Sequence, residues 1–443
     1  MDTISTTGAQ QTENAKIQGT VVALYTLCGT FGALSCIWLG DLLGRRKLIF
    51  LSSFVSAIGC IIQSSAFEMS QFIVGRIILG LGTGGIIATV SVWQSELSKA
   101  ETRGAHVTAF GAFCGMGNSL ALWVGFGMSF TQPSSLSWRF TLALSIFLSI
   151  LTCSTIFLLP ESPRFVAIKG RWEEVRDTLA RLLDVEPHSD IVNTEVENIR
   201  VSLERAKTSK LTDLFTMGRQ RVFHRIVLAS SVQIILQMTG VNIVVSYAPT
   251  IFEHQLHFDP IKSGVLAASS QAVLIIGSLC CVLTVDRLGR RKLMLFSAFA
   301  SASCLAALAG LTAHPENKAG LKAAVFFTFF YYFVYVIGFF GIPFLYASEI
   351  APTHLRAAVC GISTAFSWLY FIVYCVLNAS FIPLIYFFFP ETKGRTLEEI
   401  DEIFEHSTSV LNAVSLSKKF TTLASSSDSS LSNEIVAAKD EYT

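Results

Sequence analysis

Apolar residues gather into long runs along most of the chain, and short polar or charged segments separate one run from the next. A hydrocarbon layer about 30 Å thick needs about 20 residues of helix, so each long run is a candidate transmembrane helix. Nine runs cover residues 18–40, 48–66, 71–93, 105–130, 139–159, 226–251, 263–285, 293–312 and 322–347, and a final one covers 357–389. The pattern predicts an all-α, polytopic membrane protein.

Composition narrows the class of protein further. Charged residues make up 15% of the 443 residues, against about 25% in soluble domains. The net charge of +1 argues against a nucleic-acid partner, because proteins that bind nucleic acid carry basic surfaces. The ten cysteines lie almost all within apolar runs and show no metal-binding spacing, so we expect neither a metal nor a cofactor.

The charged segments between the runs form a pattern that occurs twice. Its three pairs are GDLLGRRK from residue 40 and VDRLGRRK from 285, SELSKAETRG from 95 and SEIAPTHLRA from 348, and PESPR from 160 and PETKGR from 390. Such a repeat predicts a protein built from two halves. The basic residues of these segments should face the cytoplasm.

These features divide the chain into segments. The only long polar insert carries an amphipathic stretch and is predicted to form short cytoplasmic helices between the halves. We expect a polar segment at 1–17, an N-terminal bundle of five spans at 18–159, the linker at 160–225, a C-terminal bundle at 226–389, a cytoplasmic helix start at 390–404 and a disordered tail at 405–443.

The two halves differ in length. Arg103 and Glu161 are 58 residues apart, whereas Arg356 and Glu391 are 35 apart, so the second half is about 23 residues short, roughly one membrane crossing. One span precedes Asp41, whereas two spans lie between the linker and Asp286. The spacing therefore predicts a twelve-helix plan from which about two helices' worth of chain is missing.

With these segments in hand, the chain resembles the fungal-type sugar porters of the major facilitator superfamily. The resemblance rests on the repeated motifs, in order, together with GRIILGLGTGG, QIILQMTGVN and IPFLYASEIAP. It implies two six-helix bundles, a sugar site at the midplane, alternating access and coupling to protons. Against that family plan, the chain lacks the first helix, which carries the family's proton-binding acid, and parts of helices eleven and twelve.

The paired acids and arginines near the helix ends predict a cytoplasmic latch, because a charge close to the membrane costs free energy unless it is paired. Salt bridges between helix ends would hold one state closed and would break when the protein opens. The alternative is that the basic residues only orient the helices. The predicted latch residues are Asp41, Arg45, Arg46, Glu96, Arg103, Glu161, Arg164, Asp286, Arg290, Arg291, Glu349, Arg356, Glu391 and Arg395.

Polar and aromatic side chains on apolar helices predict the sugar site. Amides both donate and accept hydrogen bonds, as sugar hydroxyls do, and Gln233 and Gln237 share one helix face. The resemblance adds aromatic positions, and we expect Asn118 to supply an amide that the family places elsewhere on the same helix. The predicted substrate residues are Gln233, Gln237, Asn242, Tyr247, Asn118, Phe344 and Trp368. Their alternative roles are interhelical hydrogen bonding or ordinary packing.

The stretch RIILGLGTGG also contains the G-x-G-x-x-G spacing of a dinucleotide-binding loop. Such a loop needs a preceding strand, and these glycines instead follow Arg76 inside an apolar run, where they predict a helix-packing face. The chain is therefore predicted to be no enzyme. We expect a monomeric sugar transporter in the plasma membrane, with sugar, protons and lipid as partners. The alternative is a transport-inactive truncated isoform or a sugar sensor of the same family.

Overall fold

The computed structural model describes residues 8–131, 133–206, 214, 221–241, 244–245, 259–312, 318–352, 355–368 and 389. Helices account for almost all of these residues, and no strand occurs among them. The first half contains α1 (Gly8–Leu43), α2 (Arg45–Ser64), α3 (Met69–Leu97), α4 (Arg103–Ser129) and α5 (Leu136–Thr155). The linker contains α6 (Pro163–Ile168), α7 (Trp172–Leu183) and α8 (Asp190–Ala206). The second half contains α9 (Val222–Met238), α10 (Pro260–Leu288), α11 (Arg290–Thr312), α12 (Lys318–Phe339), α13 (Ile342–Ile350) and α14 (Arg356–Ser367).

The predicted all-α membrane fold is confirmed. Within the described ranges, eight helical segments are long and apolar enough to cross a bilayer, and α9 is a shorter apolar helix. Two bounds differ from the sequence prediction. Helix α1 already begins at Gly8, and the run predicted at 226–251 is interrupted after Met238, where α9 ends. Gly240 takes a positive φ of 86° there, which glycine tolerates best, and Val241, Val244 and Val245 are helical again.

The run predicted at 322–347 is divided into α12 and α13 by a break at Phe340 and Gly341. Pro343 lies in the first turn of α13, where a missing N–H costs no helical hydrogen bond. A Cβ at Gly341 would lie 2.9 Å from the Thr108 Cα of α4. The break therefore lets the second half approach α4 closely.

The glycines of α3 form a packing face, as the sequence predicted. They lie inside one continuous helix that begins at Met69, so they do not form a strand-to-helix loop. Gly80 and Gly84 lie against the α1 backbone at Tyr25 and Gly29. Gly82 and Gly85 lie in the same way against serines of α2. Side chains at these positions would separate α3 from both neighbours.

Two seams join the halves. Helix α1 packs against α14, and α4 packs against α10. The linker helices have a small core of their own, which includes Val175, Leu179, Val192 and Val196. The charged segments of both halves meet at one end of the bundle, which we call the basic end.

Candidate functional site

The N-terminal junction, formed by Asp41, Arg45 and Glu96, lies at the basic end where α1 meets α2 and α3 ends. The Arg45 guanidinium donates to both Glu96 oxygens, at 3.0 Å from Nε and 3.3 Å from Nη2. Its Nη1 donates to Asp41 at 3.2 Å. Arg45 and Glu96 are both buried, so each charge depends on the other for its stability.

The C-terminal junction, formed by Asp286, Arg290 and Glu349, repeats this arrangement. Arg290 donates to Glu349 at 2.7 Å from Nη2 and 3.2 Å from Nε. Its Nη1 donates to Asp286 at 2.9 Å. The sequence repeat is therefore also a repeat of atomic contacts.

The second arginine of each repeat also has an equivalent place. Arg103 Nε donates to the Ser95 carbonyl at 3.2 Å, and Arg356 Nε donates to the Ser348 carbonyl at 3.0 Å. Each bond ties the start of one helix to the end of the helix before it. Both arginines are buried.

Two contacts at the basic end cross between the halves. Arg356 Nη1 lies 3.5 Å from Glu96 Oε1, and both side chains are fully buried. The backbone N–H of Ala105 donates to Asp286 Oδ2 at 2.7 Å, which places a carboxylate at the positive N-terminus of α4. A Cβ at Gly104 would collide with that carboxylate. In this conformation a salt bridge between α3 and α14 and a hydrogen bond to a carboxylate between α4 and α10 join the halves at the basic end.

The other predicted latch residues surround these two junctions. Glu161 accepts from the backbone N–H of Arg46 at 3.2 Å, and Arg46 donates to the Phe157 carbonyl at 3.1 Å. Ser162, which sequence reasoning missed, donates to Glu96 at 2.6 Å. Arg164 is half-buried near Glu96. Arg291 is buried, and Glu391 and Arg395 lie outside the described residues.

Gln233 and Gln237 occupy one face of α9, as predicted. The Gln233 side chain is fully buried, and neither its amide nitrogen nor its amide oxygen has a hydrogen-bond partner. An unsatisfied buried polar group costs about 1–3 kcal/mol. Gln237, four residues on, is half-buried. Asn242 and Tyr247 lie outside the described residues.

Of the three predicted aromatic residues, the two that the structure describes both lie on contacts between the halves. Phe344 of α13 packs edge-to-face on Phe110 of α4, with ring centroids 5.1 Å apart. Trp368, just after α14, meets Tyr25 of α1 edge-to-face at 5.7 Å. The Trp368 indole nitrogen is buried and has no hydrogen-bond partner. Phe110 and Tyr25 were not predicted, because nothing in the sequence pairs them with residues of the other half.

Asn118 is exposed on α4, seven residues after Gly111, which lies against Phe340 and Gly341. Sequence reasoning also missed Gln271 on α10. Its side chain is fully buried, and neither amide atom has a hydrogen-bond partner. The signal was present, because Gln271 is an amide within an apolar run, but no motif covers it.

A peripheral cavity of about 680 Å³ lies away from these residues, at the ends of α3, α4 and α5 remote from the basic end. Phe72, Arg76 and Trp138 contribute to its lining, and none of the predicted substrate residues does. The described residues contain no cluster of His, Cys, Asp and Glu that could hold a metal ion.

Comparisons with known proteins agree with this architecture. The sequence model of the family described as Sugar (and other) transporter matches residues 2–370 and 368–404. The first matched segment ends and the second begins within the final apolar run, 357–389, where the second half is shorter than the first. Sugar transporter STL1 of Saccharomyces cerevisiae is 33% identical over 414 residues, which cover 88% of this chain and 72% of that protein. MFS-type transporter oryC of Aspergillus oryzae is 33% identical over 422 residues, with 88% and 78% covered.

A solved structure shares the fold. The proton:xylose symporter XylE, bound to 6-bromo-6-deoxy-D-glucose, superposes with a TM-score of 0.80 at 21% identity. The superposition covers 89% of this chain and 90% of that one. The predicted resemblance and the major facilitator fold are therefore confirmed, and the chain is a multi-pass membrane protein of a transporter family.

Proposed function

Because this chain belongs to the Sugar (and other) transporter family, we propose that it carries a sugar across a membrane by alternating access, with the sugar bound between its two halves. The observation that carries the proposal is the closure of the basic end. Two contacts, Glu96 with Arg356 and Asp286 with the Ala105 N–H, join the halves there. A sugar leaving toward that end requires both contacts to break.

The interior offers groups that suit a sugar. The buried Gln233 amide lacks partners, and a sugar hydroxyl can both donate to it and accept from it. Gln237, one turn further along α9, and Asn118 of α4 supply further amides, and Phe344 and Trp368 supply aromatic faces. The basic end faces the cytoplasm, in keeping with its arginines and lysines.

Finer points of the proposal follow from the relatives. The XylE structure is that of a proton:xylose symporter, so we infer proton-coupled uptake of a hexose or a small saccharide at the plasma membrane, by a monomer. The transport-inactive isoform or sensor is the less favoured candidate, because relatives that are 33% identical carry the names of transporters.

Reconstitution into proteoliposomes tests the proposal directly. Uptake of radiolabelled hexoses and pentoses should saturate, and an inward proton gradient should accelerate it. Replacing Gln233 by Met should raise KM about tenfold, since one good hydrogen bond to a buried amide contributes about 1.4 kcal/mol.

The matched control is Gln63→Met on α2, which replaces a buried amide outside the proposed site and should leave KM unchanged. A folded protein that accumulates none of the sugars would reject the transport proposal and favour the inactive relative. Uptake that ignores the proton gradient would reject the coupling alone.

A further inference from the structure

Gln271 is one of two glutamines in the described residues whose side chains are fully buried with neither amide atom partnered. The other is Gln233, which the proposed sugar site already uses. Each unsatisfied donor or acceptor costs about 1–3 kcal/mol, and apolar neighbours offer no compensation. A second such amide on a different helix therefore indicates a second polar contact with a ligand.

The position of Gln271 follows from the register of α4 against α10. Asp286 meets the start of α4 at Ala105, Leu274 meets Gly115, and Gly264 meets Phe126. The two helices are thus antiparallel, and each step up α4 is matched by one step back along α10. On this register, Gln271 lies opposite Asn118 and Ser119.

Both amides lie at the same depth in the bundle. Gln271 is fifteen residues before Asp286, and Asn118 is fifteen residues after Arg103. At 1.5 Å per residue, each lies about 22 Å from the basic end, within a hydrocarbon core about 30 Å thick. Gln237, fifteen residues after the start of α9 at Val222, lies at the same depth.

The faces of the helices place the two amides on one side of the α4–α10 seam. Gln271 is seven residues after Gly264 and three before Leu274, which both contact α4, so it shares their face. Asn118 is seven residues after Gly111, which lies against the break between α12 and α13. The face of α10 that bears Gln271 therefore lies toward α4, and the face of α4 that bears Asn118 lies toward that break.

We propose that Gln271 hydrogen-bonds a substrate hydroxyl across the α4–α10 seam and, with Asn118 of the other half, determines which sugar is accepted. The inference rests on the proposed sugar transport. It adds a specificity-determining residue from α10, a helix on which no substrate residue was predicted from the sequence. An amide satisfies a hydroxyl as donor and as acceptor. One hydroxyl between the two amides would also link the halves, so binding would favour a closed seam.

Transport kinetics with deoxy-sugars test the specificity role. Gln271→Met should raise KM about tenfold for the preferred sugar, while Vmax and the amount of folded protein stay the same. A site built to bind a hydroxyl discriminates against the analogue that lacks it. The deoxy-sugar that lacks this hydroxyl should therefore bind the parent protein more weakly than the sugar does. In the Gln271→Met protein, the two should bind with equal affinity.

The control is again Gln63→Met, whose KM and analogue order should match those of the parent. Unchanged KM and analogue order in Gln271→Met would overturn the inference. Equal losses of thermal stability in Gln271→Met and Asn118→Ala, with KM unchanged, would show that the two amides only bind each other across the seam.

Cysteine labelling separates this inference from the proposed function. Gln271→Cys should react with a water-soluble thiol reagent faster than the parent, whose native cysteines set the background, and sugar should slow the reaction at least about threefold. Failure to react overturns the inference whether or not the protein transports sugar. Reaction that no sugar slows overturns the substrate contact. If the parent transports no sugar, the proposed function fails on its own, through the uptake assay.

Discussion

Asp41 and Asp286 occupy equivalent places in the two halves, yet only Asp286 reaches the opposite half. The Asp41 side chain is 46% exposed and pairs with Arg45. The Asp286 side chain is 21% exposed, pairs with Arg290 and also accepts from the Ala105 N–H of α4. The residue that follows the second arginine of each repeat explains the difference. Gly104 leaves room for the carboxylate, whereas Ala357, its repeat counterpart, fills that room with a Cβ.

Glu96 also reaches the opposite half. It binds Arg45 of its own half and Arg356 of the other. Glu349, its repeat counterpart, binds Arg290 of its own half. Beside the α1–α14 seam, a glutamate of α3 thus reaches α14, and at the α4–α10 seam an aspartate of the second half reaches α4. Because the two contacts use different residues, substitutions can weaken each seam separately.

Native cysteines report on each seam. Cys360 is buried one turn after Arg356, near Glu96, and Cys281 is buried beside Thr108 of α4. The labelling rate of each thiol, followed by mass spectrometry of its peptide, measures how often its seam opens.

Replacing Glu96 by Gln should have the largest effect. It removes the carboxylate beside the buried Arg356 and leaves Arg45 with only the partly exposed Asp41, and breaking such a buried pair costs about 3–5 kcal/mol. We expect lower thermal stability, loss of most transport, and Cys360 labelling about tenfold faster or more. The labelling rate of Cys281 should increase less than that of Cys360.

The comparison variant is Glu349→Gln. It should also lower thermal stability, since Arg290 loses one of its two carboxylate contacts, but it should not accelerate Cys360 labelling to the same extent, because Cys360 lies near Glu96. Equal acceleration in the two variants would mean that Cys360 labelling does not report on the contact of Glu96 with Arg356 in particular.

Gly104→Ala should have the next largest effect, on the other seam. The added Cβ occupies the position of the Asp286 carboxylate, so the bond to the Ala105 N–H is lost. A hydrogen bond to a charged group contributes about 1.5–3 kcal/mol. We expect Cys281 labelling to rise about tenfold or more, with Cys360 labelling nearly unchanged.

Ala357→Gly is the matched exchange at the repeat position. It removes a Cβ and should leave Cys281 labelling at the parent rate. If Gly104→Ala accelerates labelling of both cysteines alike, the two seams open together and not independently.

The sequence was sufficient to predict the all-α fold, the repeat and the pairing of charges within each half, because spacing along the chain fixes which helix ends meet. It could not show which acid crosses to the other half. That choice depends on one Cβ, at position 104 or 357, and on how the halves are oriented to each other. Gln271 was missed for the same reason, since its role depends on the register of α4 against α10 rather than on any local motif.

The smallest effects should come from the aspartates themselves. Asp286→Asn keeps an oxygen that can accept from the Ala105 N–H but loses its charge. A hydrogen bond to a neutral group contributes about 0.5–1.5 kcal/mol, against about 1.5–3 kcal/mol for a charged one, so Cys281 labelling should rise about fivefold. Asp41→Asn disrupts only a partly exposed pair, which contributes about 0–1 kcal/mol, and should alter labelling of either cysteine less than about twofold. An equal response to the two substitutions would mean that the bond from Ala105 adds nothing to closure, and that Gly104 is present for another reason.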